Sequence, residues 1–275
     1  MILAGYSKLP GADNGAIMPT ETTTESPVSQ PYLLCAIGDI HGEFDLLKEL
    51  HALVLERRNL LYPDHALTLI HVGDFIDRGP KSFEVIEELI RLEKLSGLEV
   101  INIIGNHERQ FVDAYDEASP YASKKDSWLK WGGIETIASY ELAGKELPYQ
   151  PHVDWIETLP AIWTHPASKT IFVHAGIDPQ TYPDNDEDIL LWTRSRKFMN
   201  TDDWDNPALD GWTVVHGHTP TKSNSYEVSG TKSKRINIDT GAVYSGALTA
   251  VLIRENAEPE FISVKSNSAS WKAPQ

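Results

Sequence analysis

The sequence predicts an α/β fold with two sheets, on three observations. Four short runs rich in Val and Ile, Leu33 to Ile37, Ala66 to Val72, Val100 to Ile104 and Thr170 to Val173, each stop at a Gly, Asp, Asn or His, as buried strands do. Apolar residues at helical spacing fill the gaps between the first three. Toward the end, Thr213 to Val215, Arg235 to Ile238, Ala247 to Arg254 and Glu260 to Val264 carry strand signals between Gly, Asn and Pro turns, which predicts a second sheet.

The first helix is read from Leu46, Leu47, Leu50, Leu53 and Val54, and the second from Val85, Ile86, Leu89, Ile90 and Leu92 after Pro80, a residue suited to a helix start. From Asp113 to Pro166 the pattern is helical and aromatic, with Trp128, Trp131, Trp155 and Trp163 and the interruption Gly132-Gly133. This segment is either a lobe over a site or part of the core, since irregularly spaced tryptophans are more often core. Residues 1–30 mix Gly, Pro, Ser, Thr and Glu and bury too little apolar surface to offset their ordering entropy, so a flexible tail is expected there and a single domain over 31–275.

Forty acidic against 24 basic residues, a net charge of −16, disfavour nucleic acid and anionic lipid as partners. The one cysteine, Cys35, lies in an apolar run and forms no internal disulfide, so its expected role is packing. No apolar stretch approaches the roughly 20 residues of a membrane span and the N-terminus lacks a secretory pattern, so a cytoplasmic location is expected.

The chemistry lies in phrases at the strand ends: Gly38-Asp39-Ile40-His41-Gly42, Gly73-Asp74-Phe75-Ile76-Asp77-Arg78-Gly79, Gly105-Asn106-His107-Glu108 and His216-Gly217-His218-Thr219. Oxygen and imidazole donors in this number suit two divalent ions, Mn first, with Fe or Zn as alternatives. Asp39 and His41 can hold one ion. Asp74 can bridge both, and Asn106, His174 and His218 can complete the second. Each phrase alone has a plainer reading: a turn for Asp39-x-His41 and for His218, a hydrogen-bonded strand terminus for His174. His216 is assigned to packing or to support of the ligands. His107 suits proton transfer to a leaving group, with Asp77 holding its imidazole, although the pair also reads as a structural salt bridge. Arg78 offers a fork to phosphate oxygens, Asn106 an amide, and Arg194 a second clamp or simply a surface charge.

At these residues the chain resembles the PPP-type phosphoprotein phosphatases of the calcineurin-like metallophosphoesterases. The resemblance runs from about Leu33 to Arg254 and includes His174-Ala175-Gly176. Trp131-Gly132-Gly133, Leu191-Trp192-Thr193-Arg194 and Asp239-Thr240-Gly241-Ala242 are most similar to the bacterial and phage branch. It implies a two-sheet β-sandwich flanked by helices, in α/β/β/α layers. It also implies the ligand set above, direct attack by a metal-bridging hydroxide without a phosphoenzyme, and His107 as the acid supported by Asp77. Ile104 departs from the family, standing where many protein phosphatases carry an Arg; Pro220 replaces the second His of many metallophosphodiesterases.

The expected function is therefore hydrolysis of phosphorylated proteins or peptides at Ser, Thr or Tyr, or of small phosphate esters. The alternatives are a symmetrical dinucleoside tetraphosphate hydrolase and a metal-binding interaction module without turnover.

Overall fold

A computed structural model describes residues 30–116, 124–222 and 226–266. The tail expected over 1–30 lies, Gln30 apart, outside the described residues, as do 117–123 of the helical segment. The chain begins with β1 (Tyr32–Ile37), α1 (Phe44–Leu61), β2 (Ala66–His71), α2 (Ser82–Glu93), β3 (Glu99–Asn102) and α3 (Asn106–Tyr115). The helical segment follows as α4 (Lys124–Trp128), a wide turn over Leu129–Gly133, α5 (Ile134–Leu142) and α6 (Gln150–Glu157). Then come β4 (Ile162–His165), β5 (Thr170–Val173), α7 (Glu187–Trp192), β6 (Thr213–His216), β7 (Glu227–Ser229), β8 (Lys234–Asn237), β9 (Ala247–Arg254) and β10 (Glu260–Lys265). Pro80 stands just ahead of α2, whose first turn is entered through Lys81.

The strands form two five-stranded sheets, ordered β10-β9-β1-β2-β3 and β4-β5-β6-β8-β7. Assignment of every late strand to the second sheet is corrected here: β9 and β10 return to the first, where β9 lies antiparallel to β1. Ala247 to Leu252 are buried throughout, which suits an interior strand closing the open edge of β1, but a local strand signal does not say which sheet receives it. The short edge strands β4 and β7 carry no periodicity strong enough to read.

Alternation along β1 builds the layers. Leu33, Cys35 and Ile37 face α1 and α2, packing with Leu47, Leu50, Val85 and Leu89. Leu34 and Ala36 point the other way, to Phe172, Val215 and Ile236 of the second sheet. The outer face of that sheet, through Ile171, Val173 and Val214, is covered by Leu190, Phe198 and Trp204. These are the α/β/β/α layers, and Cys35 is fully buried within them.

A polar relay crosses the first helical layer. Asn102 Nδ2 donates to Glu93 (2.6 Å), so its Oδ1 accepts from His71 Nδ1 (2.7 Å). His71 Nε2 must then accept from His51 Nε2 (3.0 Å), which leaves both rings neutral. Burial pushes the His51 pKa down to about 4 and, near the second sheet, that of His216 down to about 3. A histidine lowered on folding from about 6.5 stabilises fully above that pH and loses the contribution as the pH falls toward the folded value, because the unfolded chain takes up the proton first. The thermal midpoint is therefore expected to fall between pH 7 and pH 5; a midpoint that stays level would rule out buried neutral rings.

Candidate metal centre

Parallel strands from both sheets end at one place. Asp39 follows β1, Asp74 follows β2 and Asn106 opens the helix after β3; His174, His218 and Asp239 follow β5, β6 and β8. Carboxyl ends of parallel strands are where α/β sheets gather ligands. Close approach is built into the backbone, since a Cβ on Gly217 would sit 1.9 Å from Asp39 Oδ1 and one on Gly105 2.2 Å from Asp74 N. His41, Asp74, Asp77, Arg78 and His218 all take left-handed φ values between 47° and 72°. Each such residue costs roughly 1–2 kcal/mol, strain the surrounding packing offsets.

The donors fit cations. His41 Nδ1 donates to Ile76 O (2.9 Å) and His174 Nδ1 to Val72 O (2.8 Å), so both Nε2 atoms carry acceptor lone pairs, that of His41 turned to Arg78. His174 Nε2 lies 2.9 Å from Asn106 Oδ1 and 3.3 Å from Asp74 Oδ1, an arrangement of acceptors with no proton among them. A dication relieves it. His218 Nδ1 joins from 2.8 Å of Asn106 Oδ1. Two groups have ligand atoms near enough to share an ion: Asp74 with His174 and His218, and His41 with Asp74 and His107. Burial, and next Arg78, keep His41 neutral, and burial with His174 brings His218 down to about 2, as ligation by imidazole requires.

Asp39 is buried at this junction but turned partly inward, its two oxygens accepting from His218 N at 3.2 and 3.0 Å. Burial, then the neighbouring carboxylates of Asp239 and Asp74, raise its pKa well above the ordinary value; burial takes Asp239 to about 6. Crowded buried carboxylates are what a bound cation neutralises. The Arg78 guanidinium adds a positive charge near them, donating to His41 Nε2 and, at 2.8 Å, to His107 Nε2.

His107 is oriented by a built support. Its Nδ1 donates to Asp77 Oδ2 (2.7 Å), and Asp77 also accepts from Trp128 Nε1 (2.9 Å) and Thr136 Oγ1 (2.6 Å). Gly132, with φ 115°, accepts from Arg78 N (3.0 Å), and a Cβ there would strike Arg78 at 2.6 Å. The Trp-rich segment is thereby both core, through fully buried Trp128, and site wall, through exposed Trp131. A cleft of about 200 Å³ opens over the centre, lined among others by Arg78, His107, Gln110, Trp131, Trp192 and Arg194.

A family model described as calcineurin-like phosphoesterase matches residues 33–246. The chain belongs to this family. The phosphoesterase is 30% identical over 245 residues to the asymmetrical bis(5'-nucleosyl)-tetraphosphatase PrpE of Halalkalibacterium halodurans, covering 84% of this chain and 92% of that protein. It is 27% identical over 228 residues to serine/threonine-protein phosphatase 2 of Salmonella typhimurium, covering 79% and 91%, in keeping with the PPP-type resemblance of its motifs. It shares its fold with the cold-active protein-tyrosine phosphatase of a psychrophilic Shewanella species, at a TM-score of 0.51 and 17% identity over 84% of this chain and 80% of that one. The family is one of hydrolases, so the chain is an enzyme acting on phosphate esters. Among the described residues, no helix is long and apolar enough to cross a membrane.

Asp39, His41, Asp74, Asn106, His107, His174 and His218 of the phosphoesterase meet at the centre, with Asp77 behind His107 and both Arg78 and Arg194 on the cleft. Arg194 is tied to the site through a 3.3 Å bond to His218 O. Ile104, at the position without the family Arg, is fully buried in the core. His216 accepts from Arg235 (2.8 Å) and packs on Phe198, away from the ligand cluster.

Sequence reading missed Asp239, although it obeys the same strand-end rule, and gave Glu108 no physical role. Fully buried Glu108 accepts four backbone N–H groups, from Asp74 (2.9 Å), Phe75 (2.7 Å), Ile76 (3.1 Å) and Gly105 (2.9 Å). It pins the Asp74 loop to the start of α3. Glu108→Gln keeps the shape but faces an NH2 group toward two of those donors, so a loss of about 3 kcal/mol is expected by denaturant unfolding. A loss under about 0.5 kcal/mol would mean that the carboxylate does not organise the loop.

Proposed function

We propose that the chain is a metal-dependent phosphomonoesterase of phosphoproteins or phosphopeptides, acting as a single domain over 31–275. The observation that carries this reading is the convergence of two arginines and His107 on one small cleft beside the clustered nitrogen and oxygen atoms of His41, Asp74, Asn106, His174 and His218. Asp39, His41 and Asp74 would hold one ion, and Asp74, Asn106, His174 and His218 the other, with Mn taken first and Fe or Zn as alternatives that this mixed set of oxygen and imidazole donors also suits. When bound, such a pair polarises the phosphoryl group and supplies a nucleophile from water near neutral pH.

The chain's own residues do the rest. Arg78 releases His41 and His107 and turns its fork onto phosphate oxygens, while Arg194 and the Asn106 amide contact the same group. As water oxygen bonds to phosphorus, the P–O bond to the leaving group breaks. His107 Nε2 gives its proton to the leaving oxygen, and Asp77, held by Trp128 and Thr136, stabilises the imidazolium before that transfer.

A second reading, cleavage of dinucleoside tetraphosphates, is supported by the PrpE relative. That relative's name specifies an asymmetrical cut, whereas the alternative drawn from the motifs is a symmetrical one. One assay separates these: the purified protein with Mn, Fe or Zn, offered phosphopeptides and diadenosine tetraphosphate. Preference for the peptides supports the first reading. Dinucleotide preference replaces it, with ATP and AMP marking the asymmetrical cut and ADP alone the symmetrical one. Absence of turnover on any phosphate ester leaves an interaction module.

A further inference from the structure

Two large aromatic side chains are spent on the walls of the cleft rather than on the core. Trp131 is 57% exposed and Trp192 41% exposed, in a chain whose Trp128 is fully buried. Exposing indole forgoes a large burial gain, so aromatic walls beside polar groups suit a ligand that covers them. Both walls adjoin the phosphate position. Trp131 directly precedes Gly132, the residue clamping Arg78, and the Trp192 ring stands edge-on to the His218 ring with 6.2 Å between centroids. Gln110 lies one helical turn beyond His107 on α3, so the two share a face and both line the cleft.

We propose that Trp131, Trp192 and Gln110 form a subsite for an aromatic ring carried directly on the phosphate oxygen, so that the enzyme selects aryl phosphates, phosphotyrosine among them, over alkyl phosphates. The proposal rests on the phosphomonoesterase reading above. Its physical basis is proximity: with walls next to Arg78 and His218, a ring bonded to the ester oxygen is already between them. A nucleobase, set back by its ribose, is held farther out.

The test compares kcat/KM for phosphotyrosyl and phosphoseryl versions of one peptide, in the wild type and in Trp131→Ala, Trp192→Ala and the corresponding Phe variants. The wild type is expected to prefer the phosphotyrosyl peptide by about 10-fold or more, and each Ala variant should lower that ratio on the order of 10-fold while each Phe variant restores most of it. Because both side chains are half exposed, truncation leaves no core cavity, and the Phe variants report on any that do not fold. Calorimetry with phenylphosphonate and propylphosphonate gives a readout apart from turnover: only the phenyl compound should lose affinity in the Ala variants. Equal losses on both peptides, or an unchanged ratio, would overturn the subsite. So would Trp-dependent preference for diadenosine tetraphosphate over both peptides, which would make a nucleobase the ring recognised. A wild type that cleaves neither peptide would instead bring down the phosphomonoesterase reading itself.

Discussion

Asp74→Asn is expected to weaken both bound cations together, from two per chain toward none, and to take turnover with them. The carboxylate is 2% exposed and lies within ligand range of His41 and His107 on one side and of His174 and His218 on the other, so a single anion serves both proposed sites. An amide keeps the shape and removes the charge. Losing an outer partner of a ligand typically costs about 10–100-fold in metal affinity, and losing a shared ligand exceeds that. Metal analysis after gel filtration in Mn-containing buffer measures the outcome. Retention of one full equivalent, with the other alone lost, would show that Asp74 does not bridge. Folding should survive, because Glu108 rather than the Asp74 side chain holds three backbone N–H groups of the loop and that of Gly105.

His107→Asn is expected to keep both cations and lower turnover by on the order of 10² to 10⁴, the range for removing a general acid. His107 Nε2 lies 4.0 Å from Asp74 Oδ2 and accepts from Arg78. Its other nitrogen is committed to Asp77, so the ring is oriented for a proton at Nε2 once Arg78 turns to phosphate. The loss should be greater with phosphoserine than with phosphotyrosine. A phenol leaves near pKa ~10 and needs less help, whereas an alkoxide does not leave without a proton. Equal rates for wild type and variant on phosphoserine would remove His107 from the chemistry. Loss of metal in the variant would instead make it a ligand, as its place in a group with His41 and Asp74 allows.

Much of this site is legible in the sequence because its logic is local. A strand that runs buried to its end and stops at Asp, Asn or His exposes that side chain at a sheet edge, and glycines beside it announce close approach. Asp39, His41, Asp74, Asn106, His174 and His218 are all found in this way. Asp239 obeys the same rule after β8, but its phrase Asp239-Thr240-Gly241-Ala242 also marks a branch of the family, and that signal hid its place beside Asp39. Spacing alone does not separate Arg194 from a surface charge, since its value comes from a cleft formed by distant segments.

By itself the sequence determined the α/β class, the repeated strand-helix order of the first half and which Asp, Asn and His side chains stand at strand ends, because periodicity and strand ends are written along the chain. Only the tertiary structure decided that β9 and β10 close the first sheet, that Glu108 pins the Asp74 loop, and that Trp128 supports Asp77 while Trp131 and Trp192 wall the cleft. Those are matters of which surfaces meet across long stretches of chain. Packing and hydrogen-bond satisfaction choose among them in three dimensions, and no residue's neighbours in sequence carry that information.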